Sequence, residues 1–76
     1  MLRLDALAEG TQVRLARIAA GLTLFDVGSR AGVQPPRLSE FERGRLALAP
    51  EAVARVRAAL VAAGAPLTGD PGDEAA

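Results

Sequence analysis

Histidine, cysteine, lysine, tryptophan and tyrosine are all missing from this 76-residue chain. Without cysteine there is no disulfide and no thiolate metal site. Without histidine the commonest metal ligand and the commonest general acid/base at neutral pH are gone. The titratable inventory reduces to nine arginines and nine carboxylates, which argues against an enzyme and against any cofactor or bound metal. Phe25 and Phe41 are the only aromatics, and alanine supplies 17 of the apolar residues that make up 50% of the chain. Any core is therefore built from small side chains. The length supports one small domain, which buries only about 60% of its unfolded surface and has little stability in reserve.

A long apolar run is missing as well. The longest uncharged stretch, residues 58–69, has 12 residues and is broken by Gly64 and Pro66, too short to cross a bilayer. The opening Met1-Leu2-Arg3-Leu4-Asp5 lacks a signal peptide's apolar segment. The expectation is a cytoplasmic protein with no membrane contact.

The net charge of zero hides an uneven distribution. Residues 65–76 hold Asp70, Asp73 and Glu74 and no arginine, which leaves nine arginines against six acids in residues 1–64. A modestly basic body with an acidic tail is compatible with nucleic-acid binding without demanding it. An all-arginine, alanine-rich composition is also what a genome's base composition can write.

The punctuation of the chain spells helices. Thr11 is placed to cap a first helix over Gln12 to Ala20, with Val13, Leu15, Ile18 and Leu22 near helical spacing and Gly21 as its stop. Thr23 caps a second, Leu24 to Arg30, with Asp26 as an undersized capping-box partner. Gly32 ends it, and Val33 follows as the apolar residue just past the stop. Gln34 stands at the cap of a third helix, Pro35 and Pro36 occupy the first turn where a missing N–H costs nothing, and Arg43-Gly44 closes it. Leu38 and Phe41 share a face of that helix. Pro50 and Glu51 open a fourth helix with Val53, Val56 and Leu60 as its stripe, and Gly64 ends it. Residues 1–10 read as an arm or short helix bearing Leu2, Leu4 and Leu7, residues 11–64 as the folded domain, and residues 65–76 as a disordered acidic tail. No strand pattern or internal repeat is present. The fold class is all-α, a bundle of four helices, or five if the arm is helical.

The second and third helices, joined through Gly32, make a short helix-turn-helix. The segment Gly21-Leu22-Thr23-Leu24-Phe25-Asp26-Val27-Gly28-Ser29-Arg30-Ala31-Gly32-Val33, followed by Gln34-Pro35-Pro36-Arg37-Leu38-Ser39-Glu40-Phe41-Glu42-Arg43-Gly44-Arg45, resembles the Cro/CI-like, or XRE-type, DNA-binding family. The resemblance covers roughly residues 12–63. It rests jointly on Gly21, Gly28, Gly32, Val33, Leu38, Ser39, Glu42 and Gly44, since a single matching glycine would carry nothing. It implies a lambda-repressor-like bundle in which Val27, Ala31, Val33, Leu38 and Phe41 are buried and Gly28 is the small residue where two steeply crossed helices touch. It also implies an ion pair between Arg17 on the first helix and Glu42 at the end of the third.

The same resemblance implies that the third helix enters the major groove of double-stranded DNA with its first residues at base edges. Those residues here are Pro35, Pro36 and Glu40, with Gln34 and Arg37 nearby. Proline offers no donor and can only touch a thymine methyl or fill space, while Glu40 can accept from cytosine yet repels phosphate. Leu24 stands where many members carry glutamine, so that polar contact is absent. What remains is arginine: Arg37 for guanine or phosphate, with Arg43, Arg45 and the N–H groups around Thr23 for phosphate. Arg55 and Arg57 read as surface charges. Phe25 has two readings, a ring folded over the end of the third or fourth helix or a contact surface for a second protein. Val61, with Ala54 and Ala58, offers another patch for self-association.

The function these residues point to is a small sequence-specific DNA-binding regulator. It would act by operator occupancy as a homodimer, in company with RNA polymerase or a partner regulator. The alternative is a protein-interaction module that keeps the fold, such as a partner regulator or antitoxin, which Pro35, Pro36, Leu24, Phe25 and the acidic tail favour.

Overall fold

Small residues decide where the helices meet. The computed structural model describes residues 8–67, and the described residues form four helices and no strand. These are α1 (Glu9–Ala19), α2 (Leu24–Ala31), α3 (Pro35–Glu42) and α4 (Pro50–Ala62). Helix α4 packs chiefly on α2, and α1 closes the bundle against α3 and α4. The core is one cluster. It includes Val13 and Ala16 of α1, Val27 and Ala31 of α2, Val33 of the turn, Leu38 and Phe41 of α3, and Val53, Val56 and Leu60 of α4.

The first helix departs most from its sequence pattern. It begins at Glu9, with Ala8 at the cap and no side-chain capping bond, so Thr11 lies inside the helix rather than ahead of it. The reason is tertiary. Gly10 is buried, and a Cβ added there would collide with the carbonyl oxygen of Phe41 and come within 3.0 Å of the Cα of Glu42. The first turn of α1 is thus laid directly on the backbone at the end of α3. The face turned inward is Gly10, Val13, Ala16 and Ala20, at helical spacing, with Gly10, Val13 and Ala16 buried and Ala20 packed on the core. Leu15 and Ile18, which lie near helical spacing with Val13, remain 48% and 54% exposed. Side-chain size, not hydrophobicity, selected the inward stripe.

An ion pair ties the same two helices together. Arg17 donates from Nε to Glu42 Oε2 at 2.8 Å and from its second terminal nitrogen to Oε1 at 2.9 Å, a bidentate fork. Its remaining nitrogen donates to the carbonyl of Leu22 at 2.9 Å. One guanidinium therefore joins α1, the α1–α2 turn and the end of α3. The side chains are 13% and 3% exposed. Hydrogen bonding to Glu42 holds Arg17 protonated beyond its ordinary range, against the opposing pull of burial.

Helix α2 ends at Gly32, whose φ of 71° only glycine adopts without strain. That conformation lets the Val33 N–H reach back to the Gly28 carbonyl at 2.9 Å and drops Val33 into the core. Gly28 is indispensable for a related reason: a Cβ there would strike the Val33 carbonyl oxygen. Its close approach is to the turn itself, whereas the sequence suggested contact between helices. Ala65 and Leu67, assigned to the tail on composition, are buried at 9% and 8%. Their chain folds back past the end of α4, where the Ala65 N–H bonds the Leu60 carbonyl at 2.9 Å. The arm over residues 1–7 and the acidic residues beyond 67 lie outside the described residues.

Two stability outcomes follow from this packing. Gly10→Ala should cost about 1–3 kcal/mol by overpacking a backbone contact, while Leu15→Ala on the exposed side of the same helix should stay within about 0.5 kcal/mol of wild type. Urea melts that rank the two the other way would refute the close approach. Glu42→Ala should cost about 3 kcal/mol, the lower end for a broken buried pair because Arg17 keeps partial solvent access. The paired change Arg17→Met with Glu42→Leu should recover much of that loss, since it leaves no unpaired charge. An equal loss in the single and double variants would contradict the charge argument.

Candidate nucleic-acid interface

The start of α2 is organised by a complete capping box. Thr23 Oγ1 accepts from the Asp26 N–H at 3.0 Å, and Asp26 Oδ2 accepts from the Thr23 N–H at 2.9 Å. The shorter aspartate reaches as well as the usual glutamate. One consequence corrects the sequence expectation: the Thr23 N–H is already bonded and cannot grip a phosphate. Only the first N–H groups of the helix, those of Leu24 and Phe25, lack an intrahelical partner. The Asp26 carboxylate beside them opposes an anion. The Thr23 N–H and then its hydroxyl hold the Asp26 carboxyl below its ordinary value.

The head of α3 is a poor anion site for a different reason. Gln34 occupies the cap position without a side-chain bond, and prolines fill the first two helical positions. Neither proline has an N–H, and the Leu38 N–H already bonds the Gln34 carbonyl. Only the N–H groups of Gln34 and Arg37 are left from the usual set of orphan donors. Most of any hold on phosphate here must come from side chains.

Those side chains are arginines. Arg37 in the first turn of α3 and Arg43 and Arg45 just past its end are all exposed. The α3 terminus turns sharply at Gly44, where the Arg45 N–H folds back to the Glu40 carbonyl at 2.9 Å. This keeps Arg45 beside the helix instead of letting it trail away. Glu40 is half-buried, and its carboxylate approaches Arg45 at 3.9 Å, a loose surface pair worth little. Glu42, the other carboxylate of the segment, is buried and neutralised by Arg17. The ion pair thus removes a negative charge from the exposed side of α3. Three arginines then face solvent against the single carboxylate of Glu40.

A family described as a helix-turn-helix domain, of the XRE-like DNA-binding kind, matches residues 10–69. The chain belongs to this helix-turn-helix family. Neither a curated protein nor a solved structure matches it. The helix-turn-helix is α2, the Gly32 turn and α3, and α1 and α4 brace it from behind.

Within the helix-turn-helix unit, Gln34, Pro36, Arg37, Arg43 and Arg45 lie exposed along α3 and its ends, Pro35 and Glu40 are half-buried, and Thr23 is exposed at the head of α2. Leu24, noted for standing in place of glutamine, is half-buried and packs on the core. Phe25 is 68% exposed, so its ring is not folded over the end of α3 or α4. It lines a shallow recess with Gly28, Ser29, Gly32, Val33, Gln34 and Pro35. Arg55 is exposed, as expected of a surface charge, and its Nε also donates to the Ala31 carbonyl at 2.9 Å, which caps the end of α2 from α4. No signal in the sequence marks that bond, because an arginine on an outer helix face looks like any solvated charge. Among the described residues no helix is long and apolar enough to cross a membrane.

The capping box makes α2 sensitive to acid. A carboxyl whose folded value is depressed contributes stability in full above its unfolded value and loses it as pH falls through the lower folded value. Asp26→Asn should therefore flatten the acid limb of a stability-against-pH curve below about pH 4. Thr23→Ala should cost about 1 kcal/mol at neutral pH through the lost cap. An acid limb identical in Asp26→Asn and wild type would show that the carboxylate does not cap the helix.

Proposed function

We propose that this helix-turn-helix protein is a sequence-specific transcriptional regulator that acts as a homodimer by occupying a two-fold operator. The observation that carries this reading is the exposed arginine set of α3, Arg37, Arg43 and Arg45, on a segment whose Glu42 is neutralised. Arg37 in the first turn would read guanine O6 and N7 or hold a phosphate. Arg43 and Arg45 would meet the backbone and set register without reading sequence.

The polar reading set is small: Arg37, Glu40 and Gln34. Each half-site would then specify about three or four base pairs, at about 1–3 kcal/mol each. That is too little for one domain to find a site among genomic competitors, so two half-sites about one helical turn apart must be read together. Among the described residues the exposed large apolar side chains are Leu15 and Ile18 on α1, Phe25 on α2 and Val61 on α4, and of these Val61 and Phe25 would join the subunits. Regulation by this domain would come from covering a promoter or touching RNA polymerase or a partner regulator. The interaction-module alternative draws its support from the exposed Phe25 and the donor-poor head of α3.

The test is binding to sites selected from a randomised duplex pool, at two or more salt concentrations. Arg37→Ala should weaken the selected site by about 1–3 kcal/mol while changing random DNA little. Arg43→Ala should weaken all sequences alike and lower the salt slope by about one unit. Footprints should show paired half-sites, and sedimentation should show two chains on each duplex. A pool that yields no enriched sequence, or a monomer protecting one unrepeated half-site, would move the function to protein binding.

A further inference from the structure

Four large apolar side chains stand exposed among the described residues, and two of them, Leu15 and Ile18, are three apart on α1. A single apolar residue on a surface needs no explanation, but two side by side on one helix make a patch that does. Helical spacing adds Thr11, half-buried, and Ala19, exposed, to the same face. That face lies opposite Val13, so nothing in the four-helix core accounts for its being apolar. One charge borders it. Arg14 is exposed and enters no ion pair among the described residues.

We infer that this outer face of α1 is the docking surface for the chain's own residues 1–7, folded back along the helix. Place, reach, content and charge all select that segment. It joins α1 at Ala8, whose extended backbone (φ −58°, ψ 148°) stops the helix from simply continuing upstream of Glu9. Seven residues span about 23 Å when extended, while Ile18 lies only about 14 Å along the helix axis from Glu9. The surplus is enough for the chain to reverse. Residues 1–7 hold Met1, Leu2, Leu4 and Leu7, whereas residues 68–76 hold no leucine, isoleucine, valine, methionine or aromatic. Asp5 falls near the level of Arg14 in such a path, with Leu4 then close to Leu15 and Leu2 close to Ile18. Leu2 and Leu4 share one side of an extended segment. A tethered segment sees its surface at roughly millimolar effective concentration, so a weak contact is populated where a second copy would dissociate. Such a contact, divided over several side chains, adds little to the global melt and agrees with the small effect expected of Leu15→Ala. It leaves Phe25 and Val61 as the exposed large apolar side chains free for a partner, and it holds whatever α3 contacts.

The absence of cysteine makes disulfide trapping a clean test on the full chain. Asp5→Cys with Arg14→Cys keeps every leucine of the contact. In a glutathione redox buffer this pair should close a disulfide within one chain, at a rate independent of protein concentration. Adding Leu2→Ser and Leu4→Ser should slow that closure about tenfold, because apolar contact and not the tether alone brings the two thiols together. Circular dichroism should be alike in all variants, since the changes lie in residues 1–7 or at the exposed position 14. A disulfide that closes equally fast with and without the two leucines would overturn the inference, by reducing it to nearness along the chain. A disulfide formed only between chains would give the face to a second copy and refute it as well. So would the absence of any disulfide in the pair that keeps its leucines.

Discussion

The contact between the first turn of α1 and the last turn of α3 is the constraint on which the rest of the fold depends. Gly10 lies against the Phe41 carbonyl with no room for a side chain, and Arg17, two turns further along α1, forks onto Glu42. The two contacts are complementary. The glycine sets distance, because any Cβ would force the helices apart. The ion pair sets angle, because a bidentate guanidinium–carboxylate pair is satisfied only in a narrow range of orientation. The third bond of Arg17, to the Leu22 carbonyl, fixes where α2 begins. With a core made largely of valine and alanine, dispersion alone would leave the helix angles loosely determined, and this polar clamp supplies the missing definition.

The clamp also shapes the outer surface. A carboxylate at the end of α3 would oppose phosphate if it pointed to solvent, and burial with Arg17 takes it out of the field. Arg55 performs a quieter service at the other end of the motif by satisfying the Ala31 carbonyl, one of the orphan acceptors of α2. Thus α2 is capped at its start by its own Thr23 and Asp26 and at its end by an arginine from α4. The two helices of the motif are held by the scaffold behind them, which leaves their outer faces free to be chosen for contact.

Much of this was legible in the chain. Gly32 and Gly44 as stops and Pro35 and Pro50 as helix openers are local signals whose physics needs no partner, while the buried set Val27, Ala31, Val33, Leu38 and Phe41 came with the family resemblance. The Arg17–Glu42 pair lies 25 residues apart in sequence and was legible only through family resemblance. The start of α1 was not legible, because Thr11 is a good cap and nothing local reveals that Gly10 must lie on α3. The same reason hid the exposure of Leu15 and Ile18: their hydrophobicity spoke for burial, but the close approach admits only the narrow stripe of Gly10, Val13 and Ala16. Ala65 and Leu67 were hidden by the glycines, prolines and acids that follow them. At the candidate interface the residues could be named but not their state, and the occupied Thr23 N–H and the uncovered Phe25 ring are matters of geometry.

The head of α3 joins these threads. A helix that began with serine or threonine would keep free N–H groups for phosphate and a flexible hydroxyl for many bases. Two prolines remove the hydroxyl and two of the N–H groups and leave a stiff surface between the polar groups of Gln34 and Arg37. Charge then divides from shape along the helix. On the proposed reading the arginines at and beyond Arg37 would supply attraction that is insensitive to sequence or centred on guanine, and the prolines a rigid steric boundary. Helix α3 is held by α1 and α2, through the Gly10 contact, the Arg17–Glu42 pair and the Gly32 turn, so its two ends keep one fixed relation to each other.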